Sequence, residues 1–130
     1  MCWSNNEAIK KIAKNNFTVY KRVNFDTFDT CKSSIYKYIY VFEKLHKLEH
    51  SIIIKEKNDM CFIDEGFHSY TNLRILSFVE DLTNGCIVEC TIPKGAKYYV
   101  NDYGEVVSDQ IIIHIPTILS DIKQFIENNK

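Results

Sequence analysis

Few residues in this chain combine the type and the spacing that chemistry requires. Cysteines stand at positions 2, 31, 61, 86 and 90. Cys2 becomes the first residue if Met1 is removed, and an N-terminal cysteine can act as a nucleophile with its own α-amino group as base. Nothing else in the sequence completes such a site, so Cys2 reads as structural or incidental. Cys86 and Cys90 are four apart. On a strand they share a face but lie roughly 13 Å apart, at about 3.3 Å per residue, too far for a disulfide. The odd count and the lack of a CxxC pair point to reduced thiols used as small hydrophobes, as in a cytoplasmic protein. His46 and His50 have the spacing of two ligands on a helix, but no HExxH and no third ligand accompany them, so a solvated face is expected and no metal. His114 alternates with isoleucines and reads as a hydrogen-bonded sheet histidine. With four glycines and neither GxxxxGK[ST] nor GxGxxG, there is little from which to build a phosphate cradle. No complete catalytic set and no cofactor follow from these residues, which weighs against an enzyme without deciding the matter.

One stretch organises the elements that would position any site. Residues 86–92 alternate, with Val88, Cys90 and Ile92 on one face and Ile87, Glu89 and Thr91 on the other, which predicts a half-buried strand. Pro93, Lys94 and Gly95 suit a β-turn. Residues 97–100 form a short aromatic strand, and Asn101 to Gly104 supply a second turn. A long strand over 106–115 follows, its Ile111, Ile112 and Ile113 run suggesting burial on both faces, and Pro116 ends it.

The rest reads as cover for that sheet. Ser4 and Glu7 match a capping box, and Ala8, Ile9, Ile12 and Ala13 mark one face of a short helix ending near Lys14. Residues 17–24 alternate as a strand, and 25–34 suggest a loop. Residues 35–42 favour a strand, followed by a helical turn or loop. Short strands are expected at 52–54 and 60–63 around a polar turn. Gly66 to Tyr70 lie between a strand and a helix, whose buried face is Ile75, Phe78, Val79 and Leu82. Ser69, Thr71 or Asn72 can cap it, and Asn84-Gly85 stops it. Ile118, Ile122, Phe125 and Ile126 would bury the face of a last helix. The fold class expected is α+β: a single domain over 1–130 with a mixed, mostly antiparallel sheet and about three flanking helices.

Composition narrows the partners. The chain has 130 residues, a formal net charge of −1, eight Tyr, eight Phe and one Trp. It lacks the basic surplus of a nonspecific nucleic-acid binder and the strong acidity of a nucleic-acid mimic. No apolar run reaches the roughly 18 residues of a membrane span, and the first residues carry no secretory signal, so a cytoplasmic protein is expected.

The order of elements resembles the ADP-ribosyltransferase superfamily. Val19-Tyr20-Lys21-Arg22 comes first, Gly66-Phe67-His68-Ser69 comes in the middle, and Ser108-Asp109-Gln110 comes last. The resemblance implies NAD or ADP-ribose as ligand, with Lys21 or Arg22 at the arginine station, Ser69 at the serine station beside His68, and Gln110 where the catalytic glutamate stands. Tyr70 follows Ser69 where the family has a further serine. A neutral glutamine cannot offset an oxocarbenium charge as a carboxylate does, so the resemblance implies a scaffold whose activity is lost or changed. The chain is also similar to small proteins of bacteriophages, prophages and gut bacteria. The shared features are Met1-Cys2, the KIAK run over 11–14, Val19-Tyr20-Lys21, Gly66 to Tyr70, and IPKGAKYY over 92–99 followed by Gly104-Glu105 and the isoleucine run.

That second resemblance implies an effector in the host cytoplasm that binds and inhibits a host or defence protein complex, an anti-CRISPR-like role being one example. Tyrosine is a favoured interface residue because it buries area at low entropic cost. Tyr36, Tyr38, Tyr40, Tyr98, Tyr99 and Tyr103 are the candidates for partner contact. The alternative is a nucleotide, NAD or ADP-ribose cleft lined by Lys21, Arg22, His68, Ser69 and Gln110.

Overall fold

A computed structural model describes residues 2–4, 10–27, 29–33, 38–50, 52–57, 60–74, 86–101 and 103–116. Thirteen strands occupy them: β1 (Cys2–Ser4), β2 (Lys10–Ile12), β3 (Phe17–Phe25), β4 (Thr30–Ser33), β5 (Ile39–Val41), β6 (Leu45–Lys47), β7 (Ile53–Lys57), β8 (Met60–Glu65), β9 (Phe67–Tyr70), β10 (Cys86–Ile92), β11 (Lys97–Val100), β12 (Glu105–Ser108) and β13 (Gln110–Ile113). Every described pairing is antiparallel. β1, β8 and β7 form a three-stranded sheet. The other ten form a second sheet in the order β2-β11-β12-β9-β3-β10-β13-β6, with β4 beside β3 and β5 beside β4.

The longest ladder sets the faces. β10 pairs with β3 from Cys86 opposite Val23 to Ile92 opposite Phe17. The period of two then sends Val19, Lys21 and Val23 of β3 and Val88, Cys90 and Ile92 of β10 to one side. Ile111 and Ile113 of β13 join them, and all of these are buried. Cys31, Tyr40, Phe42, Phe67, Val106, Ala13 and Ala96 complete the core. Each fully buried aliphatic side chain contributes about 1.5–3 kcal/mol to folding.

Part of this sheet closes on itself. The ladder runs from β3 through β10 and β13 to β6, and from β3 through β4 to β5 on the other side. Between β5 and β6 the link is a side chain. His46 points inward from β6, and its Nε2 lies 3.0 Å from the Val41 amide nitrogen and 3.2 Å from the Val41 carbonyl oxygen. The ring accepts from the amide in one tautomer and donates to the carbonyl in the other.

One segment serves two parts of the sheet. β12 pairs with β11 and β9, whereas β13 pairs with β10 and β6. Asp109 is the corner between them. Its amide donates to the Lys97 carbonyl at 3.0 Å, its carbonyl accepts from Leu48 at 2.9 Å, and its carboxylate accepts from the Lys97 amide at 2.9 Å.

Several expectations need correction. The described part of the first expected helix is strand β2, paired with β11. Ala13 continues that pairing through Ala96 and Gly95. Edge pairing here overrides a helical pattern. Residues 30–33, expected in a loop, form β4, and 45–47, expected as a helical turn or loop, form β6. Ser69 lies in β9 and caps no helix. The long strand over 106–115 breaks at Asp109, and Ile112 is only half-buried while Ile111 and Ile113 are buried. Of the second helix only Leu73 and Arg74 are described, as helix; its buried face and the whole of the last helix lie outside the described residues. Among the described residues no helix is long and apolar enough to cross a membrane. The turn at Pro93 forms as expected, with the Ala96 amide donating to the Pro93 carbonyl at 3.1 Å. It leads β10 not into a hairpin but across to β11, on the far side of the sheet.

The β11–β12 hairpin is held by buried Asn101, whose Oδ1 accepts from the Tyr103 and Glu105 amides, each at 3.0 Å. Gly104 has φ +87°, and its carbonyl accepts from the Thr71 amide at 2.8 Å. A Cβ there would collide with Thr71 Oγ1. Gly104→Ala is therefore expected to destabilise the fold by about 1–3 kcal/mol in urea unfolding, from left-handed strain and overlap together. Adding Thr71→Ala removes the colliding atom and should restore part of the loss. Equal stability of Gly104→Ala and wild type would refute this account.

Candidate functional site

Two places in the ten-stranded sheet concentrate polar chemistry, one inside and one outside. Inside, Lys21 is buried, and its Nζ donates to the His68 carbonyl at 2.6 Å. Its charge also lies 5.6 Å from the centre of the Tyr40 ring, within cation–π range. Tyr38, Tyr40, His46 and Phe67 stack around this point, with ring centres 4.8–6.0 Å apart. Burial, aided by the Lys21 charge, pushes His68 down to about 3. Burial pushes the Cys31 and Cys90 thiols up to about 12 although the same charge opposes it. Both thiols are free, buried and chemically quiet. Ser69 Oγ is buried with no hydrogen-bond partner among the described residues.

The fold brings together only some of the residues expected to line a nucleotide cleft. Lys21 meets the His68 carbonyl, next to buried Ser69, because β9 lies beside β3, bridged at Tyr20 and Tyr70; the His68 ring alternates with Phe67 and Ser69 to the other face. Arg22 follows Lys21 and faces the opposite side of β3, level with Ile87. Gln110 lies two strands away on β13, level with Lys47. Lys21 is level with Val88, and Ile113 with Cys90. Gln110 is therefore displaced from Lys21 by five positions along the strands, roughly 16 Å. The tyrosines are equally divided in fate. Tyr40 is buried, and its phenol is pushed up chiefly by burial. Tyr98 is half-buried against Phe17, with ring centres 5.1 Å apart. Tyr99 is half-buried, and that partial burial raises its phenol. Tyr38 and Tyr103 are exposed. Tyr36 lies outside the described residues.

Outside, three side chains far apart in sequence form a hydrogen-bonded chain. Glu43 sits in the turn between β5 and β6 with φ +62°, and its amide donates to the Ile113 carbonyl at 2.8 Å. Its carboxylate accepts from the Ile115 amide at 2.8 Å and meets His114 Nδ1 at 2.9 Å. The His114 amide donates to the Glu89 carbonyl at 3.0 Å, and its Nε2 lies 2.7 Å from Thr91 Oγ1. Slight burial works against ionisation of Glu43, but the bonds from His114 and Ile115 outweigh it and hold the carboxyl below its ordinary value. An ionised carboxylate only accepts, so a neutral His114 carries its proton on Nδ1 and offers Nε2 to the Thr91 hydroxyl. A cleft of about 250 Å³ adjoins the ring, lined by Ile87, Val88, Glu89, His114, Ile115 and Pro116.

Sequence reasoning takes His114 as a bonded sheet histidine, and both ring nitrogens are indeed engaged. It finds neither partner. Thr91 reads only as the polar side of a strand, and Glu43 stands 71 residues from His114. The spacing holds no signal for this cluster. His46 and His50, expected on a solvated loop or helix face, part company: His46 is buried in β6 and closes the seam, whereas His50 is exposed beyond it.

Comparison of the chain with family models, with curated proteins and with solved structures finds no match.

The interior sets the pH response. An unfolded histidine takes a proton near 6.5, whereas folded His68 stays neutral to about 3. Between those values the unfolded state binds the extra proton, so stability falls as the solution is acidified. Unfolded thiols ionise near 9 and the folded Cys31 and Cys90 near 12, so stability also falls as pH rises through that interval. Urea unfolding across pH 7 to 4 should show the acid loss, and His68→Gln should flatten it. An equally steep acid limb in His68→Gln would overturn the assignment to His68.

Proposed function

We propose that this domain is a small effector that works by binding a protein partner, and that the partner is a host or defence protein complex. The observation that carries the reading is an exposed apolar strip on the strands flanking the seam. Ile39 and Val41 of β5 and Leu45 of β6 point outward, with 52%, 38% and 46% of their surface exposed. Isolated exposed hydrophobics are ordinary on a protein surface, but several on adjacent strands favour a contact surface.

The strip has a charged border. Lys44 and Lys47 are exposed on either side of Leu45. The matching partner surface is apolar at its centre with carboxylates at its rim. Apolar centres supply the binding energy of such contacts, and the charged rim steers encounter. The resemblance to phage and prophage proteins is what directs the choice of partner to host machinery or host defences. Of the tyrosines expected at the interface, Tyr38 is exposed but stacks on Tyr40, His46 and Phe67, on the other side from this strip; Tyr103, on the β11–β12 turn, would be a separate contact.

The experiment is affinity capture with the whole chain as bait, followed by cross-linking and titration of the recovered partner. A stoichiometric partner cross-linked within residues 38–47 is expected. Ile39→Asp and Leu45→Asp, both at outward positions that leave the core intact, should weaken binding at least about 30-fold, the scale of an interface hot spot. Recovery of no stoichiometric partner, or undiminished binding by folded Ile39→Asp and Leu45→Asp proteins, would sink the reading.

A further inference from the structure

We propose that Thr91, His114 and Glu43 form a nucleophile, base and carboxylate relay that hydrolyses small neutral carboxylic esters held in the adjoining cleft. The Glu43 carboxylate is anchored at both oxygens, by His114 Nδ1 at 2.9 Å and by the Ile115 amide at 2.8 Å. It can only accept, so the Nδ1 proton is fixed and Nε2 is left as acceptor. Thr91 Oγ1, 2.7 Å away, is then the donor. Hydroxyl to imidazole to carboxylate is the order in which a weak hydroxyl nucleophile is activated.

The three groups are also preorganised. His114 is held at its amide by Glu89, at Nδ1 by Glu43 and at Nε2 by Thr91. Thr91 lies on a strand laddered on both sides, opposite Thr18 of β3 and Ile112 of β13. Glu43 is held by its own turn, whose amide bonds Ile113. Groups on rigid elements keep the geometry that reaction needs. The cleft reaches the relay at His114, whose side chain is 35% exposed, as Glu43 is at 51%; Thr91 is half-buried and stands 2.7 Å behind the His114 ring.

The cleft defines the substrate class. Its volume of about 250 Å³ admits a small molecule only. Ile87, Ile115 and Pro116 offer an apolar wall for a short acyl chain. Glu89 lines the cleft, while Arg22 stands level with Ile87 on the neighbouring strand. The Glu89 carboxylate favours a neutral ester over an anionic one.

The reaction balances without any further reactant. Thr91 Oγ1 attacks the ester carbonyl carbon, and its proton moves to His114 Nε2. The bond from that carbon to the alkoxy oxygen breaks, and the departing alcohol takes the proton from Nε2. Water then attacks the threonyl ester, giving one proton to Nε2, which returns it to Thr91 Oγ1 as the acid leaves. One ester and one water become one acid and one alcohol.

4-Nitrophenyl acetate is the probe, with the whole chain as enzyme. Turnover is expected to fall at least about tenfold in Thr91→Val and in His114→Gln, the lower end of what a positioned base contributes. Thr91→Ser keeps the hydroxyl and should retain turnover. Glu43→Gln, a positioning change, should lower kcat with KM unaltered. A fluorophosphonate should label residue 91 in wild type and Thr91→Ser, read by peptide mass spectrometry. Equal turnover in wild type and folded Thr91→Val would overturn the proposal, as would labelling confined to other residues.

Discussion

The seven-residue ladder between β3 and β10 is the constraint on which the rest depends. It is the longest pairing in the larger sheet, and both of its strands are flanked by further strands. Its register assigns every side chain to one of two faces. Val19, Val23, Val88, Cys90 and Ile92 go inside, where they are almost fully buried. Tyr20, Arg22, Ile87, Glu89 and Thr91 go outside. A slip of one residue would exchange the two sets and bury a glutamate while exposing the core. The cost of that exchange, several buried aliphatic side chains at about 1.5–3 kcal/mol each, fixes the register.

Lys21 is the exception on the inner face, and its surroundings explain how it is accommodated. A buried ammonium needs a hydrogen-bond acceptor and a polarisable wall. The His68 carbonyl supplies the first and the Tyr40 ring the second. The same charge discourages protonation of His68. An amine enclosed in this way serves the interior of the sheet. That placement weakens the comparison with a nucleotide-binding scaffold, as does the distance of Gln110 from it along the strands.

The outer face has a different logic. β5 and β6 are joined by His46 and not by a ladder, and the turn between them carries Glu43 to the end of β13. This turn therefore borders two features at once. On one side lie the exposed Ile39, Val41 and Leu45. On the other lie His114, Thr91 and the cleft. An exposed apolar strip and a polar relay thus share one structural support.

The strands with strict alternation were legible from residues alone. Residues 86–92 form β10 with the expected inward set, because a period of two in β-branched residues has one low-energy arrangement on a half-buried sheet. The turns at Pro93 and at Asn101 to Gly104 were legible for a similar reason, since proline and glycine restrict or free φ locally. The helical spacing of Ile12 and Ala13 misled, because Lys10–Ile12 gain more from hydrogen bonds to β11 than from a short helix; Glu7, Ala8 and Ile9 lie outside the described residues. Thr30–Ser33 and Leu45–Lys47 carry too few residues to show a period, and they are strands only because β3 and β13 offer them edges. The sequence by itself determined the local conformations of β3 and β10 and the alternation that sorts their side chains, since those follow from interactions a few residues apart. Only the tertiary structure decided that Glu43, Thr91 and His114 meet and that Gln110 stands away from Lys21. Such meetings depend on strand order and register, which are settled by burial summed over the whole sheet and leave no mark in the spacing of any single segment.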